Sequence, residues 1–274
     1  MSEFSKSEIF FLLVLFTACF PSGNLFVSGI VNGIPSVSRL FFVRVRNEAM
    51  DRMCGGAIVD PEWVITAGHC FAYTEVSDII VEVGDFAEED NVKDIHYVRN
   101  WIPAEGFLLT LAPLNDIILL RLTRPISHPD SEVIPICDHS PDVSQKTLLG
   151  SCGMGMTSAT NSTSFPARLQ EVFFFESLYQ ILPNRVKPPQ RCREDNICTR
   201  PLFGDSSVCH GDSGGPLYTF KCNSNKPECL YGIGSYTRRM PDMVTPGTHC
   251  NAGSYFARLP HHKHWIVKTI LLNL

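Results

Sequence analysis

The chain has 274 residues, 44% of them hydrophobic and 19% charged, with 19 glycines and 19 prolines. That composition excludes collagen-like, coiled-coil and disordered classes. A net charge of only −5, with no long basic run, argues against nucleic acid and anionic membrane partners. In chain order, the polar start Met1 to Glu8, carrying Lys6, is followed by the almost wholly apolar run Ile9 to Phe20. This suits the core of a signal peptide and is short for a membrane span; a buried helix is the alternative. The expected division is therefore a leader over 1–29, with or without a very short propeptide, and a folded unit over 30–274, secreted and not membrane-bound once the leader is removed.

Between about Ile30 and Ala257, short β-prone runs alternate with turn signals. Leu40 to Val45, Cys54 to Val59, Trp63 to Thr66, Ile79 to Val83 and Ile117 to Leu122 form one set of predicted strands. Lys146 to Gly150, Leu169 to Phe174, Pro216 to Phe220, Leu230 to Ser235 and Ser254 to Ala257 form a second. Strand–helix alternation is missing, so the expectation is an all-β protein of barrels or a sandwich rather than a parallel α/β sheet. Residues 129–143, rich in Pro and Asp, read as the crossing between two β units. After Pro260, Ile266, Ile270 and Leu274 recur at helical spacing beside Trp265, which predicts one C-terminal helix.

Eleven cysteines are present, one of them (Cys19) inside the expected leader. The remaining ten suit disulfides in an oxidising compartment. Close Cys-x2–4-Cys pairs of the kind that hold structural zinc are missing, so no metal and no cofactor is expected. Asn161-Ser162-Thr163 is a glycosylation sequon, usable if the chain is exported.

Three motifs carry chemistry. Gly211-Asp212-Ser213-Gly214-Gly215-Pro216 sets a serine among glycines, which permit unusual backbone angles and close substrate approach. A serine hydroxyl needs a neighbouring base to act as a nucleophile, and backbone donors for the oxyanion formed on attack. Thr66-Ala67-Gly68-His69-Cys70 supplies a histidine after a strand. Asn115-Asp116 leads into the apolar run Ile117 to Leu120, so the carboxylate will be partly buried and will need hydrogen bonds or a cationic partner. The order His, Asp, Ser separates this arrangement from subtilisins and from α/β-hydrolases. The five residues from Gly211 do satisfy the Gly-x-Ser-x-Gly pattern of lipases, but His69 and Asp116 precede the serine and the strand pattern disagrees.

On these motifs, with Ile30-Val31-Asn32-Gly33 and His264-Trp265-Ile266, the chain resembles the trypsin/chymotrypsin family from about Ile30 to the C-terminus. The resemblance implies two packed six-stranded antiparallel β-barrels with a C-terminal helix and a cleft between the barrels. It implies a serine endopeptidase, with Ser213 as nucleophile, His69 as general base and Asp116 as the residue that orients it. Gly211 and Ser213 N–H groups would form the oxyanion hole. Ser207, Ser235, Thr237 and Gly253 would contact substrate. Asp212 would pair with a new α-amino group on Ile30 after cleavage. The implied partners are protein or peptide substrates and protein protease inhibitors, acting on a monomer. Cys54–Cys70 and Cys209–Cys250 match family bridges, and Cys192–Cys198 is a shortened version of another. Cys137, Cys152, Cys222 and Cys229 remain open, with Cys137–Cys229 plus Cys152–Cys222 as one arrangement.

Departures from the family pattern shape the expectations. Gly29 precedes Ile30, and no Lys or Arg lies between Lys6 and Arg39, so a trypsin-like activator cannot free Ile30. Val27-Ser28-Gly29 is a candidate signal-peptidase site, which would release an already active enzyme; a non-tryptic activator is the rival. Ser207 stands where trypsin-like members carry Asp, which predicts cleavage after apolar or aromatic residues. Met154 and Gly68 replace a usual Trp and Ala. The acidic stretch Asp85 to Asp94 reads as a solvated loop. A catalytically silent, protease-like binding protein is the alternative function.

Overall fold

The computed structural model describes residues 30–88, 91–138, 147–158, 160–177, 192–202, 206–220, 227–237, 250 and 254–273. The expected leader, Gly253, Cys222 and Leu274 lie outside them. Among the described residues, no helix is long and apolar enough to cross a membrane.

Six strands close the first barrel: β2 (Phe42–Asn47), β3 (Arg52–Asp60), β4 (Trp63–Thr66), β5 (Ile79–Gly84), β6 (Val92–Pro103) and β7 (Ile118–Leu122), in the order β2-β3-β4-β7-β6-β5. The second barrel uses β8 (Leu148–Gly153), β9 (Gln170–Ser177), β10 (Asn196–Pro201), β11 (Pro216–Thr219), β12 (Leu230–Thr237) and β13 (Ser254–Arg258). Its order is β8-β9-β10-β13-β12-β11, closed by β11 pairing back onto β8. A two-residue strand, β1 (Ile34–Pro35), adds to the start of β9. All these pairings are antiparallel, so the two-barrel expectation holds, and closure removes the unpaired edges that an open sheet would expose.

The apolar runs explain the strands. Ile79–Gly84 and Leu148–Gly153 are buried along their whole length, filling the barrel interiors and the seam between barrel and neighbour. Segment 132–137 joins the two barrels: Glu132 and Ile134 donate to Leu40 and Ile58 of the first, and Cys137 donates to Leu230 of the second. The helix α1 (Lys263–Leu272) buries Ile266 and Thr269 and is tied to this segment by Lys263, which bonds the Ile136 carbonyl and Asp138.

Besides the two-residue β1, two strands escape the sequence reading. In β6, His96 points inward while Ile95 and Tyr97 are exposed, so the pattern is inverted relative to simple burial. The acidic stretch is consequently not all solvated loop: Asp94 lies in β6, paired with Arg124 at 2.5 Å and with the buried His96 at 3.0 Å. Burial holds His96 below its usual range despite Asp94. The other is β10, whose short, polar-flanked run gave no signal.

Four disulfides join described residues: Cys54–Cys70, Cys137–Cys229, Cys192–Cys198 and Cys209–Cys250. Cys152 is a buried free thiol, pushed up by burial; its candidate partner Cys222 lies outside the described residues.

Candidate active site

His69 sits in a single 3-10 turn, Gly68–Cys70, directly after β4, and Cys70 anchors that turn to β3 through Cys54. Gly68, noted as a departure, has a local reason. A Cβ there would lie 2.6 Å from the Phe107 ring, which packs beneath the turn. Asp116 lies two residues before the buried start of β7, and Asn115 adopts a positive φ of 45° with its side-chain amide bonded to the Glu105 carbonyl.

These turns bring the two side chains together. Asp116 is buried, with its Oδ1 accepting from the His69 backbone N–H at 2.8 Å and its Oδ2 lying 2.7 Å from His69 Nδ1. Ser235 on β12 donates to the same Oδ2 at 2.5 Å. A carboxylate accepts only, so the contact places a proton on Nδ1 and leaves Nε2 as the basic nitrogen. Three donors satisfy a carboxylate that would otherwise be costly to bury.

Ser213 lies on the tight turn before β11. Its carbonyl accepts from Gly55 of β3 at 2.7 Å, and Gly214, with φ of 76°, donates to Gly234 of β12. A Cβ on Gly55 would lie 2.7 Å from the Gly215 Cα, so the glycines let two backbones meet where the barrels touch. The amides of Asp212 and Gly215 bond within the turn. Those of Gly211 and Ser213 have no backbone acceptor among the described residues.

His69, Asp212, Ser213, Ser235 and Thr237 line one cavity of about 490 Å³. No hydrogen bond joins Ser213 Oγ to His69, a contact that in ligand-free sites is often long. Ser207 is buried and is not among the residues that line the cavity, as its neighbours Val208 and Cys209 are. It is bridged to Val31, and its buried hydroxyl has no partner among the described residues. Arg52, Leu109, Thr110, Leu111, Pro113, His210 and Tyr236 also line the cavity and were missed in the sequence. The position of His210, next to Gly211, was the available signal. Asn161 is exposed, and its Oδ1 accepts from Thr163 Oγ1 at 2.8 Å. Among the described residues, no group of three His, Cys, Asp or Glu side chains is arranged to hold a metal ion.

Family comparison agrees with this architecture: the trypsin family model matches residues 30–265. The chain belongs to the trypsin family. A trypsin from Sarcophaga bullata is 26% identical over 249 residues, covering 88% of each chain.

Against that family pattern, the surroundings of Asp212 are informative. Its carboxylate accepts from Gly155 N–H at 2.7 Å and Cys209 N–H at 2.8 Å, and no cation reaches it among the described residues. Gly155 is glycine for room: a Cβ would come within 2.6 Å of that carboxylate. Burial pushes Asp212 up to about 7. Ile30, expected as its partner, is buried and joined to Gly29, so its nitrogen is an uncharged amide, and it holds a positive φ of 35°. That conformation is strained for a β-branched residue.

A raised carboxylate binds more protons folded than unfolded between its two pKa values. The uncut chain is therefore expected to lose stability relative to Asp212→Asn as pH rises from about 4 to about 7, and not below that window. Urea unfolding of both proteins across this range checks it.

Proposed function

We propose that this chain is a secreted serine endopeptidase that hydrolyses peptide bonds through Ser213, His69 and Asp116. The observation that carries the reading is the short, doubly anchored Asp116–His69 contact beside a serine in the same cavity. His69 Nε2 would take the Ser213 proton as Oγ attacks the substrate carbonyl, forming an acyl-enzyme, and would then pass that proton to the leaving amine. Water would attack the ester, again through His69. The free N–H groups of Gly211 and Ser213 would stabilise the oxyanion. Asp116 and Ser235 would hold the imidazole throughout.

Substrate choice follows from charge. Val208, Cys209, Ser235, Tyr236 and Thr237 contribute uncharged side chains to the cavity lining, the carboxylate of Asp212 is held by the Gly155 and Cys209 amides, and the neighbouring Ser207 supplies no anion to pair with Lys or Arg. Cleavage after apolar or aromatic residues is the proposed preference. Disulfides suit the export of such an enzyme, and exposed Asn161 would then be open to glycosylation.

The rival reading is a silent scaffold, favoured by the lack of a Ser213–His69 hydrogen bond. A fluorophosphonate probe decides between them. It is expected to label the wild type and not Ser213→Ala, and equal absence of labelling in both would leave only the scaffold.

A further inference from the structure

The sequon Asn161-Ser162-Thr163 lies in a loop that is attached at both ends to the turn carrying the nucleophile. At its start, Met156 donates to the His210 carbonyl at 2.8 Å and packs with Cys209 and Cys250. At its end, the half-exposed Phe165 ring packs against Gly211: a Cβ on that glycine would lie 3.4 Å from the ring edge. His210 lines the cavity that holds Ser213 and His69, so this loop stands at the rim of that cavity.

Polar groups of the loop hold its shape. The Thr157 N–H donates to the Ser164 carbonyl at 2.6 Å, which pins the two arms together. Ser164 Oγ closes the loop from inside, donating to the Asn161 carbonyl at 2.7 Å and accepting from the Ser158 N–H at 2.9 Å. Asn161 Oδ1 accepts from the Thr163 N–H at 3.1 Å and from its hydroxyl at 2.8 Å. Nδ2, the nitrogen to which a sugar attaches, is left on an exposed side chain and donates to no acceptor among the described residues.

We propose that a glycan on Asn161 is a size filter for this site: it crowds the rim beside Gly211, slows the access of folded proteins to Ser213, and leaves short flexible peptides unhindered. The inference rests on reading the chain as a secreted endopeptidase. During export, transfer from a polyprenyl-diphosphate oligosaccharide forms the bond between sugar C1 and Asn161 Nδ2. It breaks the C1–O bond to the diphosphate, which leaves with that electron pair, and it releases one amide proton. The attached sugar is bulky and hydrated. A folded partner closing on the rim must confine it, and that ordering costs affinity and rate. An extended peptide enters the cleft without meeting it, and the pinned loop keeps the branch point from swinging away.

One apolar cleavage sequence, presented both as a short fluorogenic peptide and as an exposed loop of a folded carrier protein, tests this on enzyme secreted from a glycosylating host. Peptide mass mapping is expected to find the glycan on Asn161. Asn161→Gln and Thr163→Ala both destroy the sequon, and should raise kcat/KM on the carrier by about fivefold or more while leaving that on the peptide within about twofold. Ser162→Ala keeps the sequon and should match wild type. Trimming the folded wild type with an endoglycosidase changes no residue and should give the same gain, which separates the sugar from any effect of substitution on the loop. An unmodified Asn161, or a response to trimming that is equal for peptide and carrier or absent for both, would overturn the proposal. Hydrolysis of the peptide by every form in that case would leave the protease reading standing, whereas no hydrolysis by any form would remove that reading and this inference with it.

Discussion

Asp116→Asn is expected to lower kcat on peptide substrates by on the order of 10⁴-fold. The carboxylate has three donors converging on it, from His69 N, His69 Nδ1 and Ser235 Oγ. An asparagine of the same shape must turn one NH₂ toward that cluster. If the amide nitrogen faces Nδ1, the imidazole accepts there and carries its proton on Nε2 instead, where it cannot take one from Ser213. The imidazolium formed on attack also loses its counter-charge. Because the change is isosteric, the first barrel should fold normally, with thermal unfolding close to wild type. Steady-state hydrolysis, read alongside the probe labelling rate, checks the expectation. A loss of less than tenfold would mean that Asp116 does not orient the base.

Arg39→Met is expected to destabilise the protein by about 3–5 kcal/mol, a fall in Tm on the order of 10 °C. Arg39 lies in the segment entering the first barrel and reaches across to the second. It bonds Glu171 of β9 at 2.6 Å and Glu228 at 3.1 Å, and lies 4.9 Å over the Tyr218 ring. Tyr218 on β11 donates its hydroxyl to the same Glu171 oxygen. Glu171 is completely enclosed, and burial already raises it above the usual carboxylate range even with Arg39 present.

Removing the guanidinium leaves that carboxylate without a cation, so it must remain charged at high cost or take up a proton. The sign follows: with Glu171 raised further, the deficit of Arg39→Met should grow as pH rises from the carboxylate range toward neutrality. The double variant Arg39→Met/Glu171→Gln should recover much of the loss. Denaturant unfolding at two pH values measures both. A single variant within 1 kcal/mol of wild type would show that the network contributes little to the fold.

Much of the candidate site was legible because it is made of local turns. Glycines flanking Ser213 announce a backbone that few other residues could follow, and Gly214 adopts a positive φ while Gly55 meets Gly215 across the seam. Asp116 announces itself as a carboxylate entering a buried strand. Strands with plain apolar runs were readable for the same reason, since burial on both sides needs nothing beyond the run itself. β6 was hidden because its inward positions are Asp94, His96 and Val98, while Ile95 and Tyr97 face out; local hydrophobicity then points the wrong way.

By itself, the sequence determined the all-β class, the identity and order of the chemical groups, and the cysteines available for bridging. Those properties are carried by residues within a few positions of one another, or by composition. Only the tertiary structure decided which further groups meet: that Cys137 joins Cys229 across 92 positions, that Arg39 pairs with Glu171 of the second barrel, and that Arg193 holds the Pro113 carbonyl 80 residues earlier. Contacts between distant segments depend on how two closed barrels pack, and a hydrogen-bond donor in one carries no local mark of its acceptor in the other.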